Sequence, residues 1–433
     1  MKKYDVAIIG GGLSGLVASI YLAKAGKAVA VLEKSDRSGG RAGTAHKNGA
    51  LFNLGGHALY RGGEAFSILR ELGVEVQGGI PNAKGYAMWN NDIYPLPASV
   101  GSLLTSKLLT LYGKKEFVSL MVRLSRIEPH AVGRISFLEW AEKTIQDPMA
   151  RHIFYALCRT TTFANDPDHQ LAGATIKQLQ RGLKENVLYV DGGWESIVNS
   201  LRDQAIATGV TLLNRQTATQ IEQSGKIYRL HFADGAMLEV PFVIVTVGPA
   251  QTCRLVKDAE RTSLRKWREQ ARPIIAACLD LGLKRLPNPK HHFVIGIDQP
   301  VFFTNHSAAS RLSEDGITVV HLVKYLGAEP GNPSEDERHL EQVMDLLHPQ
   351  WRKEVVARQF LPNMTVVHDS VTLDKTSFPG PEVPEMRGLY IAGDGCGHGE
   401  MLADAALASG KRAALRIIQE FAINHDESGV SPY

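Results

Sequence analysis

Gly10, Gly12 and Gly15 follow a strand-like run from Tyr4 to Ile9 and open an Ala-rich amphipathic stretch. Glycines at that spacing suit a dinucleotide. Gly10 permits a tight turn, Gly12 admits a pyrophosphate to the backbone, and Gly15 lets the next helix pack closely on the strand. The amides of Leu13 and Ser14 then start a helix whose N-terminus favours an anion. A second apolar run, Ala28 to Leu32, ends in Glu33, where a carboxylate accepts from both ribose hydroxyls of an adenosine. Its charge would repel a 2′-phosphate, so the expected adenosine is unphosphorylated.

The following stretch, Glu33-Lys34-Ser35-Asp36-Arg37-Ser38-Gly39-Gly40-Arg41-Ala42-Gly43-Thr44, resembles the extended fingerprint of the flavin-containing amine oxidase, phytoene desaturase and protoporphyrinogen oxidase superfamily. The resemblance implies FAD as cofactor, with Lys34, Gly40 and Arg41 among its contacts and the Gly-Gly-Arg turn along the diphosphate. A guanidinium suits that place, because its planar fork stays charged and pairs with phosphate oxygens.

Near the other end, Gly388 to Asp394 reads as a buried strand running into a tight turn, and Gly395 to Leu402 leads into a helix of small residues. This is similar to the C-terminal flavin motif of the same superfamily. The likeness implies that Gly393 and Asp394 hold the ribityl-phosphate region. It also implies that the helix start at Met401, Leu402 and Ala403 faces the pyrimidine edge of the ring, where a helix N-terminus stabilises negative charge. Between these halves, Gly192-Gly193 precedes a helix from Glu195 to Thr208 and a strand from Gly209. By the same resemblance, a further strand passes the adenine near Ala218. Phe242 to Val247 reads as one more buried strand.

These elements predict an α/β fold: a Rossmann-like FAD-binding domain assembled from three chain segments, 1–80, 188–252 and 366–425. A mixed-sheet substrate domain takes 81–187 and 253–365, with a helical lid at about 98–187. The composition agrees: 433 residues, 44% hydrophobic and 21% charged, have ample core for two joined domains. A dispersed net charge of +3 argues against nucleic acid as a partner. Cys158, Cys253, Cys278 and Cys396 lack metal-ligand spacing and are expected to be reduced, with no metal bound. Cys396 falls inside the flavin motif, where a small buried thiol is favoured over a covalent flavin link. Asp5 breaks the apolar run behind Lys2 and Lys3, so a cytoplasmic location is expected.

In the lid, Leu103, Leu104, Leu108, Leu109 and Leu111 alternate with Lys107, Lys114, Lys115, Arg123 and Arg126. Leucines at helical spacing read first as core, while a basic and apolar face can also make peripheral membrane contact. Ile274 to Leu283, Phe293 to Phe303 and Ile317 to Tyr325 read as strands of a second sheet flooring the pocket.

Phe52 to Arg61 matches the superfamily loop that passes the flavin ring, which puts Gly55, Gly56 and His57 at the cofactor. His57, Tyr60 and Arg61 are the candidate catalytic side chains. A histidine there can relay a proton or bind a substrate carboxylate, or can hydrogen-bond only its own loop. Amine oxidases of the superfamily usually carry a lysine on the first strand of the substrate sheet. Ile274 to Leu283 has none, which resembles the desaturase branch. Near the C-terminal motif, Phe378 and Tyr390 do not form an evident aromatic pair.

The expected function is therefore FAD-dependent hydride transfer from an activated C–H of a hydrophobic substrate, of the desaturase or porphyrinogen-oxidase type, with oxygen or a quinone as electron acceptor. The alternative enzyme is an amine or amino-acid oxidase with Arg61 binding a carboxylate. A different class, a redox-neutral FAD isomerase or a lipid- or partner-binding protein, uses the same fold.

Overall fold

The computed structural model describes residues 3–82, 84–375 and 377–427. Two sheets organise them. The first is parallel and five-stranded, in the order Thr211–Leu213, Val29–Leu32, Val6–Ile9, Phe242–Val245, Leu389–Ile391. Its strands therefore come from three separated stretches of chain, as the α/β pattern predicts.

Aliphatic residues run continuously along the inner strands because both faces are covered. Val6, Ile8, Val29, Val31 and Ile244 meet the helices Leu13–Lys24, Glu195–Ala207 and Leu402–Glu427. Ala7, Ile9, Val243 and Val245 point the other way, onto the antiparallel strands Ala218–Ser224, Ile227–Phe232 and Met237–Val240. Each large aliphatic side chain so buried contributes about 1.5–3 kcal/mol. At the crossing of first strand and first helix, a Cβ on Gly15 would lie 2.0 Å from the Gly10 carbonyl oxygen. Only glycine fits there.

The second sheet is mixed and seven-stranded, in the order Val355–Val367, Ile274–Leu283, Thr318–Gly327, Val301–Asn305, Phe293–Gly296, Tyr86–Trp89, Asp92–Pro95. The predicted run from Phe293 to Phe303 is thus two antiparallel strands rather than one. One face packs on the helices Leu111–Leu124, Phe137–Thr144, Pro148–Thr162 and Ala172–Glu185. The other packs on Pro333–Leu347 through Leu279, Leu281, Leu340 and Met344. That helix begins cleanly because the Asn332 side chain accepts from the Ser334 amide and Pro333 presets the first turn.

The leucine stripe divides. Leu108 and Leu109 are buried, as a core reading requires, but Leu104 is 69% and Leu111 86% exposed. Among the described residues no helix is long and apolar enough to cross a membrane.

His348, beyond the end of Pro333–Leu347, is fully buried, and its Nδ1 accepts from the Asn288 amide at 3.3 Å. That bond requires a neutral ring, and burial, helped by His291, lowers its pKa from 6.5 to about 4. The unfolded chain takes up the proton near 6.5, so this contribution to stability is complete above pH 6.5 and is lost as pH falls toward 4. At about 1.4 kcal/mol per unit, the loss is on the order of 3 kcal/mol. Denaturant midpoints between pH 7 and pH 4.5 should fall less steeply in a His348→Gln variant than in the parent.

Candidate functional site

A cleft of about 530 Å³ opens at the carboxyl ends of the parallel strands, the place where such sheets bind ligands. Gly10, Glu33, Thr246 and Gly393 follow four of those strands and all line it. Strand Val355–Val367 of the second sheet supplies the opposite wall through Met364, Thr365 and Val366.

At one end, Glu33 is 7% exposed. Its Oε2 accepts from the Gly11 amide at 2.8 Å and its Oε1 from the Ser35 amide at 2.9 Å. The carboxylate thus shapes the glycine turn while lining the cleft. Above Gly12 the space is open: a Cβ there would find only the Gly39 carbonyl, 4.0 Å away. Leu13, Ser14, Lys34 and Gly40 line the same stretch.

Midway, Arg41 Nη2 pairs with Asp394 Oδ1 at 2.6 Å, and its Nη1 donates to the Val366 carbonyl at 2.8 Å. The His368 amide donates to Asp394 Oδ2 at 2.7 Å. Burial alone would raise the Asp394 pKa, but the Arg41 guanidinium and His368 hold it well below the usual carboxylate range. Arg41, expected along a diphosphate, is therefore engaged first by a carboxylate 353 positions downstream.

At the far end, Gly56, His57, Ala58 and Tyr60 meet Phe163, Trp194 and Met364. His57 Nδ1 donates to the Gly55 carbonyl at 2.8 Å, and its ring lies 4.9 Å from that of Trp194. Burial lowers its pKa to about 4, with the positive His321 and Arg41 adding to the effect. The ring is thus neutral near pH 7, with Nε2 left as an acceptor. Tyr60 donates its hydroxyl to the Thr161 carbonyl at 2.7 Å, and burial pushes its pKa up. It therefore stays protonated at neutral pH. Gly55 supports the loop from behind, where a Cβ would strike the Met364 sulfur.

Leu402 and Ala403, the first residues of the long terminal helix, line the cleft, while Met401 lies beside a small adjoining pocket. Asp404, one residue on, is buried and accepts from Arg181 at 2.7 Å and from the Ala65 amide at 2.9 Å. Two expected residues stand apart. Arg61 is exposed and does not line the cleft. Ala218 packs among the strands beneath the parallel sheet and is likewise absent from the cleft wall.

Residues 13–418 match the family model of flavin-containing amine oxidoreductases. The chain belongs to this family. Its cofactor is FAD, and this flavoprotein's cleft fits the group. The open backbone above Gly12, the buried Glu33 carboxylate, the Arg41–Asp394 pair and the helix start at Leu402 provide what a dinucleotide with a flavin head requires.

Over 175 residues the flavoprotein is 30% identical to a probable flavin-containing monoamine oxidase A of Dictyostelium discoideum, covering 37% of each chain. It is 47% identical over 51 residues to a carotenoid 3,4-desaturase of Haloarcula japonica, covering 12% of this chain and 10% of that one. The matched stretches thus span well under two thirds of these relatives. An oxidoreductase from Methanosarcina mazei has the same fold, with a TM-score of 0.77, 19% identity, and coverage of 94% of this chain and 99% of that one.

Phe163, Trp194, Met364 and His368 line the cleft without having been singled out from sequence. Phe163 ends the helix Pro148–Thr162 in a left-handed conformation with φ of 60°, which turns its ring against Gly56. A helix end without glycine, at Thr162-Phe163-Ala164, was the signal available. His368 directly follows a 13-residue strand that runs from the second sheet into the cleft, and strand length alone hints at such a crossing.

Proposed function

We propose that this flavoprotein removes hydride from an activated C–H bond of a hydrophobic substrate, with a proton lost to solvent from the adjacent atom, leaving a C=C or C=N bond, in the manner of a desaturase or porphyrinogen oxidase. Bound FAD supplies the hydride acceptor, and oxygen or a quinone takes the electrons afterwards. The supporting observation is the character of the cleft end at Gly56. Phe163, Trp194 and Met364 wall it, and the titratable side chains that line it there, His57 and Tyr60, are uncharged at neutral pH. Such a wall orients an apolar substrate and excludes water, and positioning then contributes most of what the protein adds. His57 Nε2 offers one acceptor to the substrate.

The residues assigned to FAD are Gly10, Gly12, Leu13, Ser14, Glu33, Lys34, Gly40, Arg41, Gly56, His57, Gly393, Asp394, Leu402 and Ala403, with Gly15, Gly55 and Met401 in support. The division into an FAD domain and a substrate domain with a helical lid belongs to the same reading.

Purified protein should show a flavin spectrum that polyenes or porphyrinogens bleach under anaerobic conditions. Bleaching by amines alone, with hydrogen peroxide released in air, would replace this proposal with amine oxidation.

An anionic phospholipid surface is the second proposed partner. Val100, Leu104, Leu111 and Tyr112 are 75%, 69%, 86% and 62% exposed on two consecutive helices. Lys107, Lys114 and Lys115 accompany them, and residues 97–115 contain no Asp or Glu. Each lysine near an anionic bilayer contributes about 1 kcal/mol, and salt weakens it. The protein should co-sediment with vesicles containing phosphatidylserine more than with neutral ones. A Leu104→Glu/Leu111→Glu variant, exposed at both sites, should lose that binding and keep its melting temperature. Equal sedimentation of parent and variant would remove the surface from consideration.

A further inference from the structure

Behind the Gly55-Gly56-His57 turn lies a buried polar pair that hydride transfer, as described above, leaves unused. Asp280 in strand Ile274–Leu283 and His321 in strand Thr318–Gly327 are direct cross-strand partners, and His321 Nδ1 hydrogen-bonds Asp280 Oδ1. Their side chains are 5% and 3% exposed. Asp280 Oδ2 accepts from Gln359 Nε2 at 3.0 Å, and the same nitrogen donates to the Asn53 carbonyl at 3.0 Å. The carboxylate is therefore held on both oxygens.

The opposite edge of His321 is not. Nε2 is buried without a hydrogen-bond partner of good geometry, the ring interacting with the Cys278 thiol, and Nε2 would lie 3.2 Å from a Cβ placed on Gly56. Gly56 itself forms the cleft wall. An unpartnered buried donor is costly. Burial works against charge on this ring, but Asp280 overrides it and lifts the His321 pKa to about 10. The groups facing it are Asp280 and Cys278 on the first strand, His306 with its ring 5.3 Å away, and His57 across the turn.

We infer that Asp280 and His321 form a fixed dipole whose positive end faces the cleft through Gly56, stabilising the negative charge that reduced flavin carries. The pair is neutral overall, so only its orientation matters. His57 senses that orientation: His321 opposes its protonation more strongly than Asp280 favours it. A preorganised dipole aimed at developing charge lowers the cost of forming it. His321 is a positioning residue in this scheme, since the Gly56 backbone separates it from the cleft. The inference rests on the proposed placement of the flavin ring at Gly56.

The test compares the flavin midpoint potential of the holoprotein with those of His321→Gln and of Asp280→Asn/His321→Gln, which removes both charges and leaves no buried ion unpaired. Both variants should bind reduced flavin relative to oxidised flavin at least tenfold less well, a potential lower by about 30 mV for a two-electron couple. Melting temperature is followed alongside. Lower melting temperatures with unchanged potentials would show that the pair only braces the two strands, and would overturn the inference. Parent protein that binds no flavin would instead overturn the placement of the ring. Asp280→Leu/His321→Phe, which also removes both charges and keeps the bulk, should give the same drop in potential if the first double variant fails to fold.

Discussion

Replacing Arg181 with methionine is expected to destabilise the protein by about 3–5 kcal/mol, since it leaves the Asp404 carboxylate buried without its counter-ion. The side chains of Arg181 and Asp404 are 13% and 3% exposed, so water cannot take over. The pair also joins the helix Ala172–Glu185 to the start of the helix that lines the cleft. Burial already raises the Asp404 pKa to about 6 despite the attraction of Arg181. Without that attraction the carboxyl protonates more readily, so the deficit should be smaller at pH 5 than at pH 8. Removing both partners in Arg181→Met/Asp404→Leu should recover only part of the loss, because the Ala65 amide then has no acceptor. Denaturant unfolding of the three proteins at both pH values measures this. A deficit below about 1 kcal/mol, the range of exposed pairs, would mean that solvent reaches the site.

The second large effect concerns the cofactor. Glu33→Ala should weaken FAD binding by about 1.5–3 kcal/mol, the contribution of hydrogen bonds to a charged acceptor, or roughly ten- to a hundredfold in dissociation constant. Two mechanisms act together. The ribose loses its acceptor, and the Gly11 and Ser35 amides lose the oxygens that shape the turn. Glu33→Gln keeps one amide acceptor and should fall between parent and alanine variant. Titration of apoprotein with FAD, followed by flavin fluorescence, gives the three constants. Equal constants would place the ribose elsewhere in the cleft.

Much of this cleft is legible from local pattern. The glycine spacing of Gly10, Gly12 and Gly15, the acid that ends the next strand, and the turn before Asp394 each lie within one strand–turn–helix unit. Their geometry follows from short-range sterics, and the fold gathers Gly10, Gly12, Glu33 and Asp394 around one cavity. The all-buried strand Ile274–Leu283 is equally plain, because ten consecutive buried positions demand an apolar run. The leucines between positions 103 and 111 show the limit of such reasoning. Periodicity identifies a helical face, but whether Leu104 or Leu109 is covered depends on which element lies opposite.

Local pattern alone carries the set of local units: the phosphate-binding turn, the buried strands, the acidic and basic residues at their ends, and the flavin family they imply. The long-range partners come from the way those units are assembled. Arg41 meets Asp394 across 353 positions, Arg181 meets Asp404 across 223, and His321 meets Asp280 across 41. Residues at such separations have no shared local pattern. They are brought together by the order of strands and the side of the sheet on which each helix lies, and a buried charge then takes whichever opposite charge that topology places within reach.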